Sequence, residues 1–510
     1  MLLKNDSFKI PLWIRSFQCS VGEFRLPFWL ILIAFIGMLS WSLFTNLDSV
    51  DMNVWDESLF AMRAYQLFEN GSFLQNFNQF SGLYDHPSTK LPFVTLIQVG
   101  SFYIFGPSVW ALRFPIGVIA ILSILWTIRI LFRLGIESKW GMLMGFILLG
   151  SPGFLGEHML RTGDHDAPLA FFLLLAGLYF FEYAIRNRKR SLWGLLFFFI
   201  AALLTKNLLA GTVVPSWLLF ALLYKQFIPL IKDMRMYMAA LLAIGLYVLI
   251  IWGFELNYPG FVQRMWNYEL LGRYTQIIEG HTGPWYYYWQ SLFQSDFNYA
   301  MISAIMLFPI VWEKRKTETG KLAIFLGLMG IFYLLIISFS QTKLPWYHAP
   351  VFPVFSLFVA ISLCILWQRF NTDRFFKSSR KVRVTTFLIP IFWVVLWFQN
   401  SKDVHARNGV FGPSGHLELF KKIEQDSLLL KHTYLVEDDF GSDTYFYTKS
   451  FEAFAFPNQF YFSRNLDTLN SGDGIMVIKP WLLDRISLKY HLDTICELNN
   501  ARYVRIKSIR

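Results

Sequence analysis

Two lysines, Lys206 and Lys343, stand inside otherwise apolar stretches, FFFIAALLTKNLLAGTVVPSWLLF and YLLIISFSQTKLPWYHAPVFPVF. A charge at membrane depth is costly and normally faces a cavity or a partner. Neither lysine has an acidic residue within a helical turn, so a local ion pair does not account for them. An ammonium binds phosphate as a point charge. The plainer alternative is snorkelling to a nearby interface; the anion-binding role is favoured.

Four further segments carry chemistry-bearing residues. Asp56-Glu57 opens a helical pattern, DESLFAMRAYQLFENG, where the helix dipole favours negative charge. A carboxylate there can serve as a general base or simply cap the helix. Asp85, His86 and Lys90 fall within six positions and could bind a phosphate or a metal, or form an ordinary polar membrane boundary. In Arg161-Thr162-Gly163-Asp164-His165-Asp166-Ala167-Pro168, alternate side chains on a short loop cannot all converge. Capping by Asp166, with Pro168 in the first turn, is preferred to a metal site. Arg273 could clamp an anion bidentately, and nearby His281 reads as a boundary residue.

The elements that must position these groups are membrane helices. The 510 residues are 55% hydrophobic and only 16% charged, against about 25% charged in soluble domains. The apolar residues cluster into runs close to the roughly 20 residues that a spanning helix needs. The formal charge of +11 does not signal nucleic acid. Its basic residues collect in short loops: Arg129/Arg133/Lys139, 186–190, Lys225/Lys232/Arg235, 314–316 and Arg369 to Arg383. That is the positive-inside pattern. Cys19, Cys364 and Cys496 form neither a disulfide framework nor a metal spacing.

The expected architecture is a polytopic α-helical membrane protein of about 11 to 13 spans. The N-terminus lies inside, and the chemistry-bearing segments share the outer side. One stretch between residues 91 and 132 breaks the alternation, because Arg113 also belongs outside. Residues 1–400 form the membrane domain, with long outer loops at 46–90 and 257–296. Residues 401–510 have the composition of a soluble outer domain. Strands are expected at 433–438, 474–480 and 501–506, with a helix in LELFKKIEQDSLLL, which together suggest a small α/β fold.

Taken together, these segments resemble the GT-C superfamily of membrane glycosyltransferases, in the branch of the protein O-mannosyltransferases and the lipid A aminoarabinose transferases. The matching elements run in order over residues 50–350: Trp55-Asp56-Glu57, Asp85-His86-Pro87, GPSVWALRFP, Asp166-Ala167-Pro168-Leu169, Leu204-Thr205-Lys206, Trp285-Tyr286-Tyr287 and Lys343-Leu344-Pro345-Trp346-Tyr347. Each is weak alone; their order and shared side make the signal. The chain departs from the pattern at His86, where a lysine is common, at Leu59, and at Leu270, which follows Glu269 where the aminoarabinose transferases carry histidine.

The resemblance implies a polyprenyl-phosphate sugar donor and a lipid, glycan or protein acceptor. Sugar transfers on the outer face of a cell membrane, such as the bacterial inner membrane. It implies Asp56 and Glu57 as catalytic carboxylates, and Asp85, His86, Lys90, Asp166, Lys206, Arg273, Lys343 and Tyr347 as substrate-binding residues. It fixes no cofactor; a divalent metal is left open, with its ligands unassigned. The competing reading is a transporter or flippase for an anionic lipid-linked substrate, although inverted halves are not visible.

Overall fold

The computed structural model describes residues 18–21, 24–53, 55–70, 89–156, 158–372, 380–406, 416–426, 428–430, 432–436, 442–454, 460–463, 469–477, 480–498 and 501–510. A short hairpin, β1 (Gln18–Val21) and β2 (Phe24–Pro27), leads into α1 (Phe28–Phe44). The main helices that follow are α2 (Asp56–Asn70), α3 (Phe93–Phe105), α4 (Val109–Arg133), α5 (Ser138–Leu149), α6 (Asp166–Arg186), α7 (Ser191–Lys206) and α8 (Val214–Leu223). Beyond them lie α9 (Met234–Asn257), α10 (Asn298–Glu313), α11 (Glu318–Ser338), α12 (Val351–Thr372) and α13 (Arg380–Ala406).

Among the described residues, six helical stretches are long and apolar enough to cross a membrane, and α1, α3 and α5 are shorter apolar helices. One of the six, Ser191–Leu223, folds back on itself. Phe199 packs on Trp217 and Phe181 on Phe220, so α8 returns alongside α6 and α7. The reversal falls in the 3-10 turn Asn207–Val213, directly after Lys206. The break in alternation expected near residues 91–132 is met by the short α3, which a tight turn at Gly106-Pro107 joins to α4. The side chain of Ser108 caps α4 by accepting from the Ala111 amide.

The helices share one apolar core, with α6 and α12 its most enclosed members. In lipid, helices associate through close packing rather than through water exclusion, so small residues matter at crossings. At Gly330 on α11, an added Cβ would lie 2.5 Å from the Phe355 ring of α12. The two ends of the bundle differ. At one end, Glu182 is held by Arg133 at 2.7 Å and Arg188 at 3.4 Å, Arg186 bonds Glu318, and Arg369 meets Glu313 at 2.7 Å. These are the basic loops of the sequence, anchored by carboxylates. The other end holds Asp56, Asp166 and Lys206.

The C-terminal part is a five-stranded mixed sheet of order β4-β3-β5-β7-β6. Its strands are β3 (Thr433–Val436), β4 (Phe460–Ser463), β5 (Gly474–Val477), β6 (Tyr490–Leu498) and β7 (Ala501–Ile509). Strand β3 pairs in parallel with β4 and β5, while β7 runs antiparallel to both β5 and β6. Three helices flank it: α14 (His416–Gln425), α15 (Ser442–Phe454) and α16 (Pro480–Lys489). The expected strands became β3, β5 and β7; β4 and β6 were not anticipated. One face packs onto α2 and α3 through Leu419, Phe446 and Tyr447 against Met62, Tyr65 and Phe102.

Replacing Gly330 with leucine should push α11 from α12 and lower stability by about 1–3 kcal/mol, as overpacking does. Thermal unfolding in detergent micelles reads this out; an unchanged midpoint would show the crossing is loose.

Candidate active site

Helix α2 begins at Asp56, where the acidic pair suits a helix N-terminus. The two carboxylates then diverge. Glu57 is fully buried and its oxygens are saturated. Oε1 accepts from Arg113 Nε at 2.7 Å and from the Gly163 amide at 2.7 Å. Oε2 accepts from Arg113 Nη2 at 3.0 Å and from the Asn53 amide at 2.9 Å. Burial alone would raise the Glu57 pKa, but the Arg113 charge and hydrogen bonds, with the two amides, hold it below its ordinary 4.5. Arg113 spends its remaining donors on the carbonyls of Leu47, Val50 and Asp51. Gly163 is required: a Cβ there would lie 2.7 Å from Leu112 and 3.4 Å from Glu57 Cγ. Gln98 Nε2 donates to the Gly163 carbonyl at 2.7 Å. Glu57 therefore ties the segment between α1 and α2 to α4 and to the loop before α6.

Asp56 is half-buried and keeps different company. Ligand atoms of Asp56, His158 and Asp164 all lie within 4.8 Å of one another. His158 Nδ1 is 3.2 Å from Asp164 Oδ1, but neither that nitrogen nor either Asp164 oxygen has an aligned hydrogen bond. The His158 ring stacks on Trp346 at 3.6 Å. Burial would lower the His158 pKa, yet Asp164, Asp56 and Asp166 raise it to about 9. Burial, with Glu57 and Asp56, raises Asp164 against the pull of His158. Without a metal, the pair thus holds a proton at neutral pH. Two carboxylates and one imidazole with unfilled lone pairs fit a divalent cation of intermediate hardness. The sequence reading did not single out His158, and it assigned Asp164 no role; the Asp-His-Asp signal was present but pointed no specific way.

The three residues 164–166 do diverge, as their spacing implied. Asp164 turns to His158, while Asp166 accepts from Lys206 Nζ at 2.6 Å. His165 stacks on Phe60 at 3.8 Å. Its pKa is pushed well below 6.5, first by burial and then by Lys206, Arg63 and Lys90.

A cavity of about 190 Å³ is lined by Lys90, Lys206, Asn207, Arg273, Ser340 and Tyr347, with apolar walls from Leu208, Leu209, Ile336 and Ile337. Arg273 Nη1 donates to Tyr347 Oη at 2.5 Å, and Asn207 Nδ2 donates to the Thr89 carbonyl at 3.0 Å. Four of the expected substrate-binding residues thus converge from four separate segments. Lys206 also sits in the field of Asp56 and Asp164, which joins the cavity to the carboxylate cluster. Asp85 and His86 lie outside the described residues.

Lys343 stands apart from the expectation that it reaches the anion. Its ammonium donates to the carbonyls of Ser338, at 2.8 Å, and Ser340. It caps the end of α11, where the last carbonyls lack partners. Ser340 Oγ donates to the Arg273 carbonyl at 2.7 Å, so Lys343 steadies the segment that carries Arg273. His281 is a loop residue whose carbonyl accepts from the Lys343 amide.

Residues 85–252 match the family described as dolichyl-phosphate-mannose-protein mannosyltransferase. The chain is 23% identical over 415 residues to undecaprenyl phosphate-α-4-amino-4-deoxy-L-arabinose arabinosyl transferase 2 of Pseudomonas fluorescens. That alignment covers 78% of this chain and 66% of the relative, so the match spans about two thirds of the relative's length. In fold, the chain is similar to ArnT from Cupriavidus metallidurans bound to undecaprenyl phosphate, with a TM-score of 0.70 at 15% identity, covering 94% of this chain and 97% of that one. It is also similar to the apo oligosaccharyltransferase of Archaeoglobus fulgidus, with a TM-score of 0.53 at 11% identity, covering 82% of this chain and 64% of that one. The resemblance read from the motifs is borne out, and the location is a membrane.

Glu57→Gln should cost about 3–5 kcal/mol, because it leaves the Arg113 charge buried and unpaired. The sign of the pH effect follows from the lowered pKa. The stability due to Glu57 is present above about pH 4.5 and is lost as pH falls through the lowered folded value. Acid unfolding of the wild type, compared with Glu57→Gln and with the double variant Glu57→Gln/Arg113→Met, checks this. The double variant should recover part of the loss.

Proposed function

We propose that this GT-C-type protein is a membrane glycosyltransferase that moves a sugar from a polyprenyl-phosphate donor to a lipid, glycan or protein acceptor. The observation that carries the reading is the cationic cavity of Lys90, Lys206 and Arg273 beside the Asp56 cluster. Its apolar wall suits the start of a prenyl chain, and its cations suit a phosphate.

Asp56 takes the proton from the acceptor hydroxyl or amine. The freed lone pair attacks the anomeric carbon, and the bond from that carbon to the phosphate oxygen breaks. Polyprenyl phosphate leaves with the electron pair, so the negative charge that develops on its oxygen faces Lys90, Lys206 and Arg273. Asp166 holds Lys206 in place before the donor arrives, and Tyr347 orients Arg273. Glu57 serves the reaction by positioning Asp56. Asp56, His158 and Asp164 would hold a divalent cation, which would supply positive charge beside the attacking oxygen.

In this reading the chain crosses the membrane about 11 to 13 times, with the short helices α1, α3 and α5 among the spans. The membrane domain is residues 1–400, and residues 401–510 lie on the outer face of a bacterial inner membrane. The end of the bundle with the basic loops then faces the cytoplasm, which agrees with the positive-inside rule. No specific observation favours the transporter reading.

The test is transfer by purified protein from polyprenyl-phosphate sugars, read as release of polyprenyl phosphate. Asp56→Asn should lower turnover roughly 10²–10⁴-fold, the range of general-base assistance, while donor binding survives. Lys206→Met should weaken donor binding about 10–100-fold, the equivalent of one charged hydrogen bond. A wild type that moves intact donor across vesicles without releasing sugar would favour transport. For topology, a reporter active only in the cytoplasm and fused after Arg510 should be silent; a signal would place residues 401–510 inside.

A further inference from the structure

Between α1 and α2 the chain runs through residues 47–53, which form no helix or strand. This segment hands over to the helix whose first residue is Asp56. A segment without its own hydrogen-bonded ladder takes its position from what holds it. Besides Glu57, which accepts from the Asn53 amide, two groups from elsewhere in the fold contribute. From the membrane domain, Arg113 grips the carbonyls of Leu47, Val50 and Asp51 at 2.8 to 3.0 Å. The second is Tyr447, on α15 of the C-terminal domain. Its hydroxyl accepts from the Met52 amide at 2.8 Å and donates to Asp51 Oδ1 at 3.2 Å.

The ring of Tyr447 is buried, 5% exposed, in the contact between the two domains. The neighbouring Phe446 packs on Tyr65 and Phe102 but makes no hydrogen bond to the segment among those found. One turn later, Ser450 Oγ donates to the Pro107 carbonyl at the start of α4. The C-terminal domain thus contacts both the segment that leads to Glu57 and the turn that leads to Arg113. The donor cavity, by contrast, is built from Lys90, Lys206, Arg273 and Tyr347, and its described lining includes no residue from the C-terminal domain.

We infer that Tyr447 is a positioning residue for the catalytic carboxylate: its hydroxyl fixes the Asp51–Met52 backbone, and so sets where Asp56 meets the acceptor. The C-terminal domain therefore takes part in the acceptor side of the reaction and not in donor binding. This rests on the proposed role of Asp56. A displaced base costs rate steeply, because misplacement by about 1 Å can cost 10²-fold, whereas Tyr447 is not among the described residues that line the donor cavity.

The experiment compares wild type, Tyr447→Phe, Asp51→Ala and Phe446→Leu in detergent, with three readouts. These are kcat and donor KM for transfer per folded protein, the thermal midpoint, and amide hydrogen exchange over residues 50–58. Tyr447→Phe keeps the ring and loses the hydroxyl. It should lower kcat roughly 10-fold or more, leave donor KM within about twofold, and speed exchange at Met52 and the start of α2. Asp51→Ala should change the same readouts in the same direction, which keeps the inference testable should Tyr447→Phe fold poorly. Phe446→Leu should lower the midpoint while retaining kcat. The inference is overturned if Tyr447→Phe and Asp51→Ala keep kcat. It is equally overturned if Phe446→Leu loses kcat in proportion to its stability, because the contact is then structural. A wild type without transferase activity would refute the proposed function instead; hydrogen exchange then decides alone whether Tyr447 fixes the segment, and unchanged exchange overturns the inference.

Discussion

The site is organised around one buried ion pair, Glu57 with Arg113. Both partners are taken out of solvent, and a pair in that position is tolerable only when its remaining lone pairs and protons are satisfied. Here they are. The Glu57 oxygens receive Arg113, Gly163 and Asn53, while Arg113 gives its other donors to three carbonyls of the segment between α1 and α2. Three segments distant in sequence therefore share one geometry. Because Asp56 precedes Glu57 by one residue, fixing Glu57 fixes where Asp56 begins, next to His158 and Asp164.

The cations follow a related logic. A lysine at membrane depth needs a reason, and the two conspicuous lysines have different ones. Lys206 ends α7, meets Asp166 across the bundle and looks into the cavity. Lys343 closes the carbonyl end of α11, and through Ser340 it supports the stretch carrying Arg273. One lines the cavity and the other holds the segment beside it. The same residue type in the same kind of sequence context thus separates into two roles once the partners are known.

Much of this was legible from residue order. The apolar runs gave the helices, the reversal at Lys206 was readable from the polar break after Thr205, and the charge of the loops marked the two ends. Lys206 and Tyr347 fall in the matching motifs, Lys90 and Arg273 stand out by residue type and place in the chain, and the four converge on one cavity. What could not be read was partnership across long separations. Nothing near Glu57 in sequence indicates Arg113, 56 residues away, and His158 carries no motif of its own. Nor does the alternation of apolar residues in Tyr490–Leu498 resemble a buried strand, because only Tyr490 and Cys496 in it are buried. Its register comes from β7, which a local pattern does not contain.

The central claim is that the cavity beneath the Asp56 cluster is the seat of the donor phosphate. The most direct measurement is a structure of the protein with polyprenyl phosphate bound. The account predicts the phosphate within hydrogen-bonding distance, about 3 Å, of Lys206 and Arg273, with the prenyl chain leaving over Leu208 and Ile336. A phosphate seated away from both cations, for instance against Arg161 on the far side of the Glu57–Arg113 pair, would contradict it.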